Sequence, residues 1–135
     1  MNVAFGTDEV TPITDEIEAH LTRLGHEVQR LGNGLRWAEV GRMVGEAVSS
    51  GEADAGVVCC FTGTGVTMAA NKVSGVRAAL CVDAETARGS RRWNDANVLA
   101  LSLRITTADV AREIVDAFFG AKPDGTEADQ IALLP

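Results

Sequence analysis

The chain has 135 residues, enough for one domain with a core of its own and too few for two. Apolar residues make up 46% and charged residues 23%, with a formal net charge of −7, which argues against a non-specific nucleic-acid binder and against docking on an anionic membrane. No apolar run approaches the roughly 20 residues of a transmembrane helix. Met1-Asn2-Val3-Ala4-Phe5-Gly6 lacks the basic start and long apolar stretch of a signal peptide, so a cytoplasmic location is expected.

Strand and helix patterns alternate along the chain. Val3 to Phe5 is a short apolar run ending at Gly6. Thr11-Pro12 reads as a helix start, and Ile13, Ile17, Leu21 and Leu24 follow on one helical face until Gly25 stops it. His26 to Leu31 alternates as a strand does and ends at Gly32-Asn33-Gly34. Val40, Met43, Val44, Ala47 and Val48 form a second helical stripe, opened by Trp37, which is read as packing, and ended near Gly51. Gly56 to Phe61 and Arg77 to Val82 are apolar runs of the kind that a strand buried on both faces requires. A helix is expected from about Ala84 to Arg92, a fifth strand over Val98 to Leu103, and a last helix whose capping-box-like start is Thr106-x-x-Asp109, with Val110, Ile114, Val115 and Phe118 facing inward. The tail from Lys122 to Asp129 is polar and is expected on the surface. Five such strand–helix units predict an α/β fold with a parallel sheet covered on both sides. Ligands of such sheets bind beyond the carboxyl ends of the strands, where Gly6–Thr11, Phe61–Lys72 and Val82–Thr86 fall.

Three cysteines, Cys59, Cys60 and Cys81, lie inside apolar runs, an odd count with no disulfide framework. Cys59 and Cys60 are adjacent, and no Cys-x-x-Cys or His-x-x-x-His pair exists, so a zinc site is not expected. His20 and His26 read as structural.

The segment richest in possible chemistry is Cys60-Phe61-Thr62-Gly63-Thr64-Gly65-Val66-Thr67-Met68-Ala69-Ala70-Asn71-Lys72. It leaves a strand end and enters a helix. Gly63 and Gly65 permit close backbone approach, and the helix N-terminus offers free N–H groups and partial positive charge to an anion, either a phosphate or an enediolate. The same pattern also suits a plain tight turn, and it is neither a dinucleotide fingerprint nor a Walker loop. Cys60, at the strand–loop junction, is either a small buried apolar residue or a general base.

Thr62-Gly63-Thr64-Gly65, followed by Ala69-Ala70-Asn71-Lys72-Val73-x-Gly75-Val76-Arg77-Ala78-Ala79-Leu80, resembles the ribose-5-phosphate isomerase type B family, which includes the galactose-6-phosphate isomerase subunits. Gly25-His26-Glu27-Val28, Ser50-Gly51-Glu52-Ala53-Asp54, Ala87-Arg88 and Asn94-Asp95-Ala96-Asn97-Val98-Leu99 extend the resemblance, in family order, to about Phe119. It implies a three-layer α/β/α, Rossmann-like sandwich with a five-stranded parallel sheet in the order 2-1-3-5-4, and a homodimer, or a dimer of dimers, with composite sites. It implies aldose–ketose isomerisation of a sugar or sugar phosphate through a cis-enediolate, with no metal and no cofactor. Residue by residue, it makes Cys60 the base, sets Thr62 beside it, and gives the enediolate to the backbone of Gly63, Thr64 and Gly65. Asn71 and Asp8 would meet substrate, Asn94 would come from the neighbouring subunit, and Arg104 would lie near the phosphate.

The departures are as informative. The family's Ser-Asp-His-Ala-Gly is here Thr7-Asp8-Glu9-Val10-Thr11, so an anion stands where a histidine is usual. The family's ring-opening histidine is here Trp93, whose indole N–H can only donate. Trp93 suits a dimer-interface anchor or a pocket wall. Phe61 replaces a glycine, and the tail Gly125–Gln130 has no cation. At about 4–6 Å in an intermediate dielectric, a carboxylate facing a phosphate costs a few kcal/mol. Arg88, Arg91 and Arg104 offer partial compensation, although Arg91 and Arg92 also read as a solvated helix face. Three readings follow: an isomerase with Cys60 as base, suited to an open-chain substrate such as a tetrose derivative; an altered enzyme for an unphosphorylated or amine-bearing compound with Glu9 as acid–base group; and a non-catalytic subunit completed by a paralogue.

Overall fold

The computed structural model describes residues 1–135. In chain order the elements are β1 (Asn2–Thr7), α1 (Pro12–Arg23), β2 (Glu27–Arg30), α2 (Trp37–Ser49), β3 (Ala55–Cys60), α3 (Thr64–Asn71), β4 (Ala78–Leu80), α4 (Ala84–Asn94), β5 (Val98–Ser102), α5 (Ala108–Gly120) and the short α6 (Ala128–Ile131). The strands form a single parallel sheet in the order β2-β1-β3-β5-β4, the three-layer arrangement expected. No helix is long and apolar enough to cross a membrane.

Strand alternation divides the core in two. Val3, Phe5, Val57, Cys59, Leu99 and Leu101 face one side, where Ile17 and Leu21 of α1, Ala87 of α4, and Ile114, Val115 and Phe118 of α5 close over them. Ala4, Val58, Cys60, Val98 and Ala100 face the other, beneath Val40, Val44 and Ala47 of α2 and Val66 and Ala70 of α3. The central strand β3 is buried at every position, as its unbroken apolar run requires.

Several sequence expectations are corrected. The last helix is capped by Thr107, whose hydroxyl accepts the Val110 N–H; Thr106 is buried one residue earlier. Leu24 lies at the end of α1, 44% exposed, and Thr14 takes a place on the buried face. The fourth strand is only Ala78–Leu80, because Arg77 is drawn off to Asp95 and Val82 points outward. Phe61 lies just beyond β3 and is exposed. The helix α6 has no counterpart in the sequence reading.

Candidate active site

After β1 the chain crosses one way to form β2, and after β3 it crosses the other way toward β5 and β4. The carboxyl ends of β1 and β3 therefore flank the crevice where a parallel sheet reverses its winding, the ordinary ligand position in such folds. A cleft of about 310 Å³ opens there, lined by Asp8, Trp37, Cys60, Phe61, Thr62, Thr64, Gly65 and Met68. A larger hollow, about 730 Å³, lies at the opposite end of the strands by Ala55 and Asn97. Its arginines are already engaged: Arg77 and Arg91 both pair with Asp95, at 3.2 and 3.1 Å.

Cys60 closes β3 and takes the face covered by α2 and α3, while its neighbour Cys59 is turned to the α1/α5 side. Burial pushes the Cys59 thiol far up, with the charges of Cys60 and Asp8 adding to it. Burial likewise pushes Cys81 up to about 11. Cys60 is the one cysteine that borders the cleft.

Beyond Cys60 the backbone makes its tight entry into α3. Gly63 sits at φ +79°, and a Cβ there would come 3.1 Å from the Leu101 backbone and 2.5 Å from the Leu80 side chain, so both conformation and space call for glycine. The N-cap Gly63 has no side chain to cap α3; the Thr64 N–H makes only a long bond, 3.5 Å, to the Thr62 hydroxyl, which leaves the N–H groups of Gly65 and Val66 available to a ligand. Thr67 bonds back to the Gly63 carbonyl at 2.6 Å, and the hydroxyls of Thr62 and Thr64 pair at 2.8 Å. Trp37 lies flat against Gly65: a Cβ at Gly65 would sit 2.8 Å from the indole ring. The loop is thus held from below by Leu101 and from the side by Trp37.

Asp8 follows β1, its N–H donating to the Cys59 carbonyl at 3.3 Å. One carboxyl oxygen, Oδ1, is buried with no hydrogen-bond partner. Burial, and then the negative charge of Glu9, hold this carboxyl above the ordinary carboxylate range, against the lowering effect of backbone hydrogen bonds. Glu9 itself turns to solvent. Its backbone N–H donates to Thr7 Oγ1, which in turn donates to the Glu9 carbonyl, and its side chain does not line the cleft.

The remaining candidates lie elsewhere in a single chain. Asn71 spends its amide on the backbone of Ala78, donating to the carbonyl at 3.0 Å and accepting the N–H at 2.8 Å. With Asn94 it borders a second cleft of about 410 Å³. Trp93 and Asn94 border a third, beside Glu127 and Gln130 of the tail. Arg104 is exposed just after β5, and its N–H donates to the Phe61 carbonyl at 2.8 Å. It carries no ion pair, whereas Arg88, Arg91 and Arg92 pair with Glu85, Asp95 and Asp124. The cleft thus gathers Asp8, Cys60, Thr62, Thr64 and Gly65 around the Gly63 turn, and leaves Glu9, Asn71, Trp93, Asn94 and Arg104 outside. Sequence reasoning missed Trp37 and Met68 as cleft walls. A signal existed for Trp37: a helix that follows a parallel strand begins at the carboxyl edge of the sheet, so its first residue is placed beside the ligand crevice.

The chain matches the Ribose/Galactose Isomerase family over residues 3–133. It is 40% identical over 133 residues to ribose-5-phosphate isomerase B of Escherichia coli (strain K12), spanning 95% of this chain and 89% of that protein. It is 31% identical over 131 residues to D-erythrulose-4-phosphate isomerase of Pectobacterium atrosepticum, spanning 93% and 86%. The solved structure of the Clostridium thermocellum ribose-5-phosphate isomerase B superposes with a TM-score of 0.93 at 39% identity, over 98% of this chain and 93% of that one. Fold and crevice define a Rossmann-like α/β protein with a cleft at the switch point of its parallel sheet. The chain belongs to the ribose/galactose isomerase family, and so to the aldose–ketose isomerases.

Proposed function

We propose that this chain, as one isomerase domain over residues 1–135, interconverts the aldose and ketose forms of a short sugar phosphate, with Cys60 moving a proton between C1 and C2. The observation that carries the reading is the position of Cys60, whose thiol borders the switch-point cleft beside an uncapped helix end. The α3 N–H groups and the Thr62 hydroxyl are set to stabilise the negative oxygen of an enediolate as it forms. Arg104, exposed and unpaired after β5, suits a phosphate at the cleft mouth. Glu9 is exposed and its side chain does not line the cleft, so it does not contact a ligand there.

The cleft holds no histidine to open a sugar ring. A four-carbon substrate needs no such group once it is in the open-chain form, and the likeness to a D-erythrulose-4-phosphate isomerase supports that choice. The active form in this reading is a cytoplasmic homodimer, or a dimer of dimers, in which Trp93 and Asn94 of one copy complete the cleft of the other.

Proton NMR in deuterated buffer tests this with four- to six-carbon aldoses and ketoses, phosphorylated and not. Deuterium should enter at C1 or C2 as product forms, fastest with a phosphorylated tetrose. Cys60→Ala should abolish exchange and turnover together. Undiminished turnover in that variant rejects Cys60 as base.

A further inference from the structure

Isomerisation through an enediol needs two proton transfers, one at carbon and one between the two oxygens, and Cys60 supplies only the first. The chain has two histidines, and both are committed elsewhere. His20 Nε2 lies 2.7 Å from Asp116 on the α1/α5 face. His26 Nδ1 lies 3.4 Å from the N-terminal amine, with its ring 4.7 Å from that of Phe119. A second copy of the chain would bring only the same two. Glu9, the carboxylate nearest in sequence, points away from the cleft.

Apart from Cys60, one side chain that titrates lines the cleft: Asp8. Its side chain borders the cleft while Oδ1 is buried without a partner, a setting that disfavours the charged carboxylate. We propose that Asp8 is the second catalytic residue, carrying the proton between the substrate's O1 and O2; this rests on the isomerase reading given above.

In the aldose-to-ketose direction, protonated Asp8 gives its proton to O1 as the Cys60 thiolate takes the proton from C2. The C2–H electron pair becomes the C1=C2 bond, and the carbonyl π pair goes to O1. Asp8, now a carboxylate, takes the proton from O2 as that oxygen's pair closes the C2=O bond. The C1=C2 pair then takes the proton back from Cys60 at C1. Both side chains end as they began, and no oxidant or reductant is consumed. Burial and then Glu9 raise the affinity of the Asp8 carboxyl for its proton, which favours the protonated form that the first step uses. The titrating groups that face it are Glu9 on its own loop and Cys59 and Cys60 on β3. The α2 and α3 sides of the cleft contribute Trp37, Thr64, Gly65 and Met68, none of which titrates.

The test is Asp8→Asn in the full chain, assayed on whichever sugar phosphates the parent turns over. The expected loss in kcat is about 10²- to 10⁴-fold with little change in KM, and Asp8→Glu should regain part of it. A kcat kept by Asp8→Asn, or a loss confined to KM, overturns the assignment. If Asp8→Asn does not fold, Glu9→Gln decides. Removing that charge lets the carboxyl release its proton more easily, so the acid limb of the kcat/KM profile should move to lower pH; an unmoved limb overturns the assignment. A folded parent that turns over nothing in the panel overturns the isomerase reading and this role with it. A working parent with an unimpaired Asp8→Asn overturns this role alone.

Discussion

Cys59 and Cys60 are neighbours in sequence but not in surroundings, because a strand sends successive side chains to opposite faces. Cys59 is sealed under α1 and α5, and Cys81 lies in the same core, its burial pushing the thiol up to about 11 against the lowering effect of its Ser90 hydrogen bond. Only Cys60 borders a cleft. Thiolate, not thiol, is the nucleophile toward alkylating agents, and it must also be reached. Iodoacetamide at mildly alkaline pH should therefore add once to the native chain, at Cys60, as read by intact mass and peptide mapping. A first adduct on Cys59 or Cys81 would contradict the placement. Part of this was readable in the sequence, since the apolar run Gly56–Phe61 carries Cys60 to the strand–loop junction just before the Gly63-x-Gly65 turn. The exposure of Phe61 was not, because a run of apolar letters does not say where the strand stops pairing. It stops here because the Phe61 carbonyl is taken by Arg104 and Ser102 rather than by a neighbouring strand.

At the scale of elements, the start of α5 shows how a one-residue ambiguity in capping is resolved by burial. Thr106 and Thr107 both offer a hydroxyl, and the sequence pattern favoured the first. In the structure Thr106 turns inward, with an N–H bound to the Ser102 carbonyl and a hydroxyl that finds no partner. Thr107 stays outside, with extended backbone, and accepts the Val110 N–H. Thr107→Ala should cost about 1 kcal/mol of stability in a denaturant titration. Thr106→Val should cost nothing or stabilise, since it replaces an unsatisfied buried hydroxyl by a methyl of the same shape. A reversed ranking would restore Thr106 as the cap. The long helices and the strands paired on both sides were legible because their apolar periods are long. Four-residue α6 was not, because Ala128–Ile131 spans little more than one turn and buries no residue. The fourth strand was overextended for a related reason: its flanks, Arg77 and Val82, are apolar or alkyl in the sequence but are claimed by Asp95 and by solvent.

On the scale of the whole molecule, the candidate residues fall into two groups that a single chain does not unite. Asp8, Cys60, Thr62 and Thr64 share the switch-point cleft, while Trp93 and Asn94 sit at the far end of α4. In the proposed homodimer the second group of one copy serves the first group of the other. Cys60→Ala and Asn94→Ala, each inactive alone, should then complement when their subunits are exchanged. Random pairing makes half the dimers mixed, each with one intact site of two, so about a quarter of the parent activity should return. No recovery in demonstrably mixed dimers would place both residues in the same subunit's site. The family resemblance assigns Asn94 to the neighbouring subunit, but residue spacing within one chain does not separate these groups, since which copy supplies a residue is set by association.

How two copies meet is further constrained by Asn71. Its carboxamide donates to the carbonyl of Ala78 and accepts from the N–H of Ala78, occupying the outer rim of β4 as a neighbouring strand would. That rim is the free edge beyond the last strand on its side of the sheet. A plug of one amide there denies a second molecule the pair of hydrogen bonds with which edge-to-edge pairing would begin. Sheet-to-sheet pairing through β4 is thereby disfavoured, and in the proposed homodimer any contact on that side of the molecule is a matter of side-chain fit rather than of shared backbone.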